Sequence, residues 1–280
     1  MSVTDPEDGE PRPAGPPLVD SHGHVWWKTF DADRDEVLQR ARGAGVRQML
    51  VVGTDVETSL ASFALAAEEP DLFPTAGIHP HDAGEGDADP GAVAAERERI
   101  EELCRRPECV AVGETGLDHF RNLSPRGAQL DNLYWHLDLA RQLDKPVIIH
   151  SRDAHEDTAR VLTEFRGVRG VLHCYDYGPD ELEPYLQAGY FVSFSGIVTY
   201  ANKGANREAA RLVPRERLLV ETDCPFLSPQ DRRRARNEPA NVRRVLEVVA
   251  ETRDEPFDEL AHATTANAGA LFGLPALEEA

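Results

Sequence analysis

Short apolar runs alternate with helical patterns along almost the whole chain. Eight runs rich in Val, Ile and Leu show little polar alternation, which is typical of strands buried on both faces of a parallel sheet. Between them, apolar residues recur at helical spacing. The predicted strands are 18–24, 46–53, 72–80, 109–118, 146–152, 170–175, 190–196 and 218–225, and the predicted helices include 33–44, 57–68, 92–105, 127–143, 238–251 and 256–274.

Eight strand–helix units are the number needed for a (β/α)8 TIM barrel, and an open doubly wound sheet is the competing arrangement. Polar residues follow five of the predicted strands, and a barrel gathers such strand ends into one ring, whereas an open sheet spreads them along a line. We therefore predict an α/β protein with one TIM-barrel domain over 18–280 and its chemistry at the C-terminal ends of the strands. Residues 1–17, rich in Pro, Gly and acid, are predicted to form a disordered tail.

Histidines and carboxylates stand where these apolar runs end. The spacing of His22 and His24 in DSHGH points both imidazoles to one face of a strand. A carboxylate at Glu114, directly after a buried run, would be costly unless it met a cation or a donor. An ion pair in the barrel mouth is the alternative for Glu114, and a packed core histidine is the alternative for any single His. The whole predicted metal-ligand set is His22, His24, Glu114, His150, His173 and Asp223.

Six ligands are enough for one or two divalent ions, and two ions can stabilise both the attacking and the leaving oxygen of a phosphoryl transfer. A divalent metal also lowers the pKa of bound water from ~15.7 to about 7. Asp223 can both ligate a metal and take a proton from such water. Mixed His and carboxylate ligands suit Zn or Mn, whereas Mg prefers oxygen-rich sites; the sequence does not choose among Mg, Zn and Mn.

The chain resembles the TatD family of metal-dependent deoxyribonucleases in the amidohydrolase superfamily. The matching stretches occur in family order and cover about 18–273: DSHGH, GIHPH, GETGLD, PVIIHSRDA, GVLHCY, FSGIVTY, ETDCPFLSP, RNEP and TTANAGALFG. The resemblance implies a barrel with a divalent-metal site that hydrolyses phosphodiester bonds of DNA with metal-activated water. The DNA is expected to be single-stranded or presented as ends.

By position, the resemblance assigns the same six metal ligands and makes Asp223 the proton acceptor and Glu114 a catalytic carboxylate. It places His79 of GIHP near the substrate phosphate. We expect His81 to act similarly, and Arg152 to meet a phosphate unless it pairs with a carboxylate instead. Arg236 belongs to DRRRARN, where this chain lacks a glycine that the family often has; its arginines could grip phosphate or neutralise the acidic surface.

Two alternatives concern the aromatic residues and the bond cleaved. Trp26 and Trp27 could stack on bases or pack under a loop. The enzyme could hydrolyse another ester or amide, such as aminoacyl-tRNA or a small phosphoester. Related carbon–nitrogen hydrolases use a modified lysine where this chain has Glu114, which favours the nuclease. A non-catalytic scaffold is the third possibility, but it would not need a complete ligand set.

Composition refines this picture. The formal net charge is −20, and the base is almost entirely Arg, with Lys28, Lys145 and Lys203 as the three lysines. This resembles proteins of salt-accumulating organisms, so we expect a halophilic protein. Such a charge disfavours passive binding of nucleic acid in dilute buffer. No apolar run approaches the ~20 residues that span a bilayer, and the four cysteines form no obvious disulfide framework. We expect a cytoplasmic enzyme with neither membrane attachment nor an obligate protein partner.

Overall fold

A computed structural model describes residues 15–84 and 89–277, and an eight-stranded sheet forms its centre. The predicted tail 1–17 lies largely outside the described residues, as do the last three residues of the predicted domain 18–280. The strands are β1 Leu18–Gly23, β2 Val46–Val51, β3 Leu72–Ala76, β4 Ala111–Asp118, β5 Val147–Arg152, β6 Gly170–Leu172, β7 Phe191–Phe194 and β8 Leu218–Val220.

All neighbouring strands are parallel and follow one another in chain order, which is the topology of the predicted (β/α)8 barrel. The first and last strands meet through a parallel bridge between Gly23 and Cys224, so the sheet comes close to closing on itself. The C-terminal ends of all eight strands therefore surround one mouth. The open-sheet alternative is wrong.

Helices surround the barrel, and two of those described begin with an aspartate side-chain cap, Asp55 and Asp89. Asp55, which directly precedes the helix Val56–Glu68, accepts a hydrogen bond from the backbone N–H of Thr58, and the backbone N–H of Asp55 donates to the Thr58 hydroxyl in a capping box. The helices are α1 Arg34–Gly43, α2 Val56–Glu68, α3 Pro90–Cys104, α4 Arg126–Leu143, α5 His155–Glu164, α6 Glu183–Gln187, α7 Gly204–Leu212, α8 Val242–Arg253 and α9 Phe257–Phe272. None of the helices in the described part of the chain is long and apolar enough to cross a membrane.

The base of the barrel is closed by apolar packing. Helix α9 packs against β1 and β8. One buried cluster joins strand residues to this helix and includes Val19, Ala111, Ile148, Leu219, Leu271 and Phe272. Complete burial of a side chain such as Leu contributes roughly 1.5–3 kcal/mol. A larger cluster fills the space between the strands and the outer helices.

The observed strands begin close to the predicted positions, but several end earlier. β8 stops at Val220, five residues before the predicted end at 225. The following segment runs on along β1 as an irregular loop, in which Asp223 has a φ of 56°, in the left-handed region that Asp tolerates better than most residues. Its backbone N–H donates to the carbonyl of His22, which ties this loop to β1.

Candidate metal centre

The six predicted ligands converge at the mouth of the barrel. His22 lies in β1 and His24 directly follows it; Glu114 and His150 lie in β4 and β5, and His173 directly follows β6. Asp223 lies in the loop after β8. Glu114 and three of the histidines are buried, and His150 and Asp223 are half-buried. The TIM-barrel topology thus brings together residues that are up to 201 positions apart.

Glu114 occupies the middle of this cluster because its strand approaches β5 unusually closely. Gly113 has a φ of 131°, and a Cβ at this position would lie 2.7 Å from the carbonyl oxygen of Ile148. Only glycine combines that backbone angle with that approach. The GETG stretch therefore places the Glu114 carboxylate directly against the side chain of His150.

The two carboxylate oxygens of Glu114 face two different groups of ligands. Oε2 lies 3.3 Å from Nε2 of His22 and 3.9 Å from Nε2 of His24. Oε1 lies 2.9 Å from Nδ1 of His150 and 2.9 Å from Nε2 of His173. A carboxylate between two nitrogen groups is arranged to bridge two cations.

On the side of β1 and β8, three polar atoms are directed at one point. Nε2 of His24 lies 3.2 Å from Nε2 of His22 and 3.3 Å from Oδ1 of Asp223. Nδ1 of His24 donates to the carbonyl of Val52 at 2.8 Å, which leaves a lone pair on the Nε2 of the neutral ring. Lone pairs this close together repel unless positive charge lies between them, so these residues fit a metal ion.

On the side of β5 and β6, the ligands are held by further carboxylates. Nδ1 of His173 donates to Oε1 of Glu221 at 3.1 Å, and its Nε2 faces Glu114. Nε2 of His150 lies 3.5 Å from Oδ2 of Asp118. A carboxylate behind a metal-binding imidazole orients the ring and makes it a stronger ligand.

Sequence reasoning missed Glu221. It is fully buried two residues before Asp223, and the signal was a second carboxylate in the ETD segment at the end of an apolar strand. A buried charge needs a partner, and His173 provides it. The same reasoning applies to Asp118 at the end of β4.

Among residues 15–84 and 89–277, three groups of ligand atoms lie close enough to hold an ion. Within each group, the atoms are within 4.8 Å of one another. One of the groups contains His79, which was predicted as a phosphate contact rather than a ligand; its Nε2 lies 3.4 Å from Oε1 of Glu114. The groups are His22 with His173 and Asp223, His22 with His24 and Glu114, and His79 with Glu114 and His150.

The pKa values of these residues indicate a demand for positive charge. Burial opposes the ionised form of Glu114, but interactions with the surrounding histidines, those with His173 first, outweigh it and hold its pKa well below its usual range. Burial also opposes the charged form of His173, but the carboxylates of Glu114 and Glu221 raise its pKa well above its usual value. For His24, Asp223 outweighs burial and raises the pKa. A metal ion meets the same demand.

His79 is held as a neutral hydrogen-bond donor. Burial lowers its pKa from 6.5 to about 4, despite the opposing charge of Glu114. The backbone N–H of His81 donates to Nδ1 of His79 at 3.1 Å. The proton of the neutral ring therefore lies on Nε2, which faces the metal centre.

Two other predicted substrate contacts lie at the rim of the mouth. Nε2 of His81 contacts Oδ2 of Asp118 at 2.7 Å, which fixes the orientation of the imidazole. Arg152 is exposed at the end of β5, and its guanidinium carbon lies 4.1 Å from the centre of the Phe120 ring. No carboxylate of the described residues forms an ion pair with Arg152, so the ion-pair alternative is not observed in that part of the chain.

Arg236 has a different environment from the one predicted. Its guanidinium donates to the two carboxylate oxygens of Asp33 at 2.8 and 2.7 Å, to Glu238 at 3.1 Å and to the carbonyl of Thr29. It also lies over the ring of Phe30, 4.3 Å from its centre. These contacts use the donors that a phosphate would need, and they join the start of α1 to the loop before α8. The structure therefore supports the ion-pair alternative for this arginine.

Trp26 and Trp27 are half-buried and pack against one another, with ring centres 5.1 Å apart. The indole N–H of Trp26 donates to the carbonyl of Val52 at 2.8 Å, the same oxygen that accepts from His24. Trp26 thus binds the same carbonyl oxygen that orients His24, in agreement with the packing alternative.

Several known proteins are similar to this chain in sequence and in fold. Residues 19–273 match the sequence model of the family described as TatD related DNase. The chain is 40% identical to the 3'-5' ssDNA/RNA exonuclease TatD of Citrobacter rodentium over 252 residues, covering 88% of this chain and 94% of the relative. It is 35% identical to the uncharacterized metal-dependent hydrolase YabD of Bacillus subtilis over 257 residues, covering 91% and 98%.

Among solved structures, the crystal structure of YJJV, a TatD homolog from Escherichia coli K12, superposes with a TM-score of 0.85 at 31% identity. The match covers 92% of this chain and 98% of that one.

Proposed function

We propose that this chain, which belongs to the family of TatD-related DNases, is a metal-dependent nuclease that hydrolyses phosphodiester bonds of single-stranded DNA. The observation that carries the proposal is the position of Glu114, whose two oxygens face two separate groups of histidine and carboxylate ligands. The name of the Citrobacter relative, a 3'-5' ssDNA/RNA exonuclease, supports the choice of substrate.

His22, His24, Asp223 and Oε2 of Glu114 would hold one divalent ion, and His150, His173 and Oε1 of Glu114 would hold a second. When bound, such ions supply Lewis acidity and lower the pKa of the water that attacks phosphorus. Zn, Mn and Mg remain the candidate metals, and the four histidine nitrogens of the proposed ligands around Glu114 favour Zn or Mn over Mg.

Asp223 would accept the proton of the attacking water. Its side chain is 14% exposed, against 4% for Glu114, so it borders the open side of the centre. Oδ1 faces His24, which leaves the second oxygen to take a proton. Burial opposes ionisation of Asp223, but the hydrogen bond with His24 and the nearby histidine charges lower its pKa, so the carboxylate is in the basic form near neutrality.

His79 would donate its Nε2 proton to a non-bridging oxygen of the scissile phosphate. The neutral ring and the fixed tautomer mean that this donor is available without a change of protonation. His81, oriented by Asp118, and Arg152 at the rim would bind adjacent phosphates. Fixed donors aimed at developing charge are commonly the largest contribution to catalysis in such sites.

We also propose that residues 18–280 act as one hydrolase domain preceded by the acidic tail, and that the enzyme works in the cytoplasm. The four free cysteines support a reducing compartment. The scarcity of lysine supports a salt-rich one.

The test is hydrolysis after reconstitution with Mn, Zn or Mg at several salt concentrations. Single-stranded DNA, RNA, a small phosphodiester and an aminoacyl ester are compared, and the metal content per chain is measured. We expect cleavage of single-stranded DNA and up to two ions per chain. Asp223→Ala should abolish turnover and leave the circular dichroism spectrum unchanged. If no phosphodiester is cleaved with any metal, or if Asp223→Ala is as fast as the parent, the proposal is wrong.

A further inference from the structure

Two exposed aromatic side chains lie at opposite sides of the barrel mouth. Phe120, in the loop after β4, is 59% exposed, and Phe226, in the loop after β8, is 43% exposed. Because the strands follow one another in chain order, β4 and β8 stand four positions apart in a ring of eight and face each other across the metal centre. The strands that carry or precede His22, His150 and His173 lie between β4 and β8 in this ring.

Both rings are carried on loops with fixed backbones. Beside Phe120, the N–H of His119 donates to the carbonyl of Arg152 at 2.9 Å, and the N–H of Arg121 donates to Oδ1 of Asp118 at 2.7 Å. The backbone of Phe226 is held by the buried side chain of Asn237, whose amide donates to the Phe226 carbonyl at 2.6 Å. Exposed apolar side chains on fixed backbones lose little conformational freedom when a flat ligand binds.

Each ring also adjoins a group with a proposed part in the chemistry. The Arg152 guanidinium lies over Phe120 at 4.1 Å, so phosphate and base contacts would be adjacent there. The ring of Phe226 meets that of Trp27 edge to face at 5.1 Å, and its centre lies 6.3 Å from that of the His24 ring. The Phe226 ring therefore lies next to a ligand of the proposed metal centre.

The negative charge of the protein is the reason to expect that binding of nucleic acid depends on these two rings. A chain of net charge −20 repels a polyanion, so the usual electrostatic contribution to nucleic-acid binding is weak or unfavourable. Stacking of unpaired bases on aromatic rings does not depend on net charge and contributes substantially for each base.

We propose, on the basis of the nuclease function above, that Phe120 and Phe226 stack on two unpaired bases on either side of the scissile phosphate. The strand then crosses the mouth from the loop after β4 to the loop after β8. The occupant is a single strand with accessible bases. Paired bases remain stacked on each other and cannot use the rings, so duplex DNA is disfavoured.

The test compares a short single-stranded oligothymidylate with the same backbone carrying abasic sites. For the parent, kcat/KM should favour the base-carrying strand. Phe120→Ala and Phe226→Ala should each reduce this preference roughly five-fold to a hundred-fold, mainly through KM. Phe120→Tyr, which retains the ring, should restore it. The matched control is Leu212→Ala, which removes a 52% exposed apolar side chain at the end of α7, outside the mouth, and should keep the parental preference.

Binding without turnover separates this proposal from the function itself. Fluorescence anisotropy of the two labelled strands with metal-loaded protein reports base dependence even if the parent hydrolyses neither. Equal affinity for both strands, or an unchanged preference in both alanine variants, would overturn the stacking proposal and leave the nuclease assignment standing. Base-dependent binding with no hydrolysis would overturn the nuclease assignment alone. Equal metal content in all variants is required for the comparison and excludes an indirect effect of Phe226 on His24.

Discussion

The same eight strands end very differently at the base and at the mouth of the barrel. At the base, Val19, Ile148 and Leu219 pack with Leu271 and Phe272 of α9 in a buried apolar cluster. At the mouth, a few residues further along the strands, the inward-facing groups are imidazoles and carboxylates within hydrogen-bonding distance of each other. The base stabilises the fold, whereas the mouth places charge at a cost in stability that a cation offsets.

The two sides of the mouth also differ in how their ligands are held. On the β1 side, the main-chain carbonyl of Val52 orients His24. On the β6 side, the carboxylate of Glu221 orients His173. A carboxylate interacts more strongly with an imidazole than a carbonyl does. The affinity of the His150–His173 site for its ion should therefore fall more on mutation of Glu221 than the affinity of the His22–His24 site falls on a change near Val52.

The largest expected effect comes from Glu114→Gln at the mouth. The amide keeps the shape but loses the charge and one oxygen that faces a ligand group, so we expect loss of one bound ion. The fall in kcat/KM should exceed the roughly 10–100-fold that loss of an outer hydrogen-bond partner costs. Metal analysis and steady-state kinetics measure both. Glu98→Gln, at an exposed position of α3, is the control and should behave as the parent.

At the base, Leu271→Ala should lower stability and leave activity unchanged. The side chain is 2% exposed in the cluster that closes the barrel. Its truncation should lower the free energy of unfolding by about 2–5 kcal/mol. For a protein of this size, that lowers Tm by roughly 4–20 °C. Turnover per folded molecule should not change. A loss of activity at a temperature where the variant remains folded would contradict the division between base and mouth.

Glu221→Gln tests the difference between the two sides of the mouth. Gln can still contact Nδ1 of His173 but supplies no charge, so affinity for one ion should fall roughly 10–100-fold while the other ion stays bound. Titration of the metal-free protein, followed calorimetrically, separates the two sites. Equal weakening of both sites would show that Glu221 acts on the centre as a whole and not through His173.

The packing of α4 beneath the mouth should make the free energy of unfolding depend on pH. His136 of α4 is fully buried; its Nδ1 donates to the Asn132 carbonyl, and its Nε2 accepts from the N–H of Ile78. Burial lowers the pKa of His136 from 6.5 to about 3. The unfolded chain therefore binds this proton more readily. The contribution of His136 to stability is complete above pH 6.5 and declines as the pH falls toward 3, by at most about 1.4 kcal/mol per pH unit.

His136→Gln isolates this contribution, since the amide oxygen can accept from Ile78 without titrating. The variant should be less stable than the parent at neutral pH, and the difference should narrow between pH 6.5 and 4 in chemical denaturation. Parallel stability curves over that range would show that His136 does not titrate on unfolding.

Much of the metal centre was predictable because it depends on local rules. A strand has a period of two, so His22 and His24 share a face, and an apolar run followed by Glu114 or His173 marks a strand end at the mouth. Glu221 follows the same rule, but its partner, His173, lies 48 residues away in sequence. For Arg236 the sequence left phosphate binding and charge neutralisation both open, because its carboxylate partner Asp33 is 203 residues away. Short-range patterns do not contain such pairings.

The sequence by itself determined the barrel, the six ligand types and their placement at strand ends, because hydrophobic period and strand polarity act over a few residues. Only the tertiary structure decided that the oxygens of Glu114 face separate groups, that Glu221 orients His173, and that Phe120 and Phe226 stand across the mouth from each other. These relations depend on the closure and register of the eight strands, which set the distances between residues that are far apart in sequence.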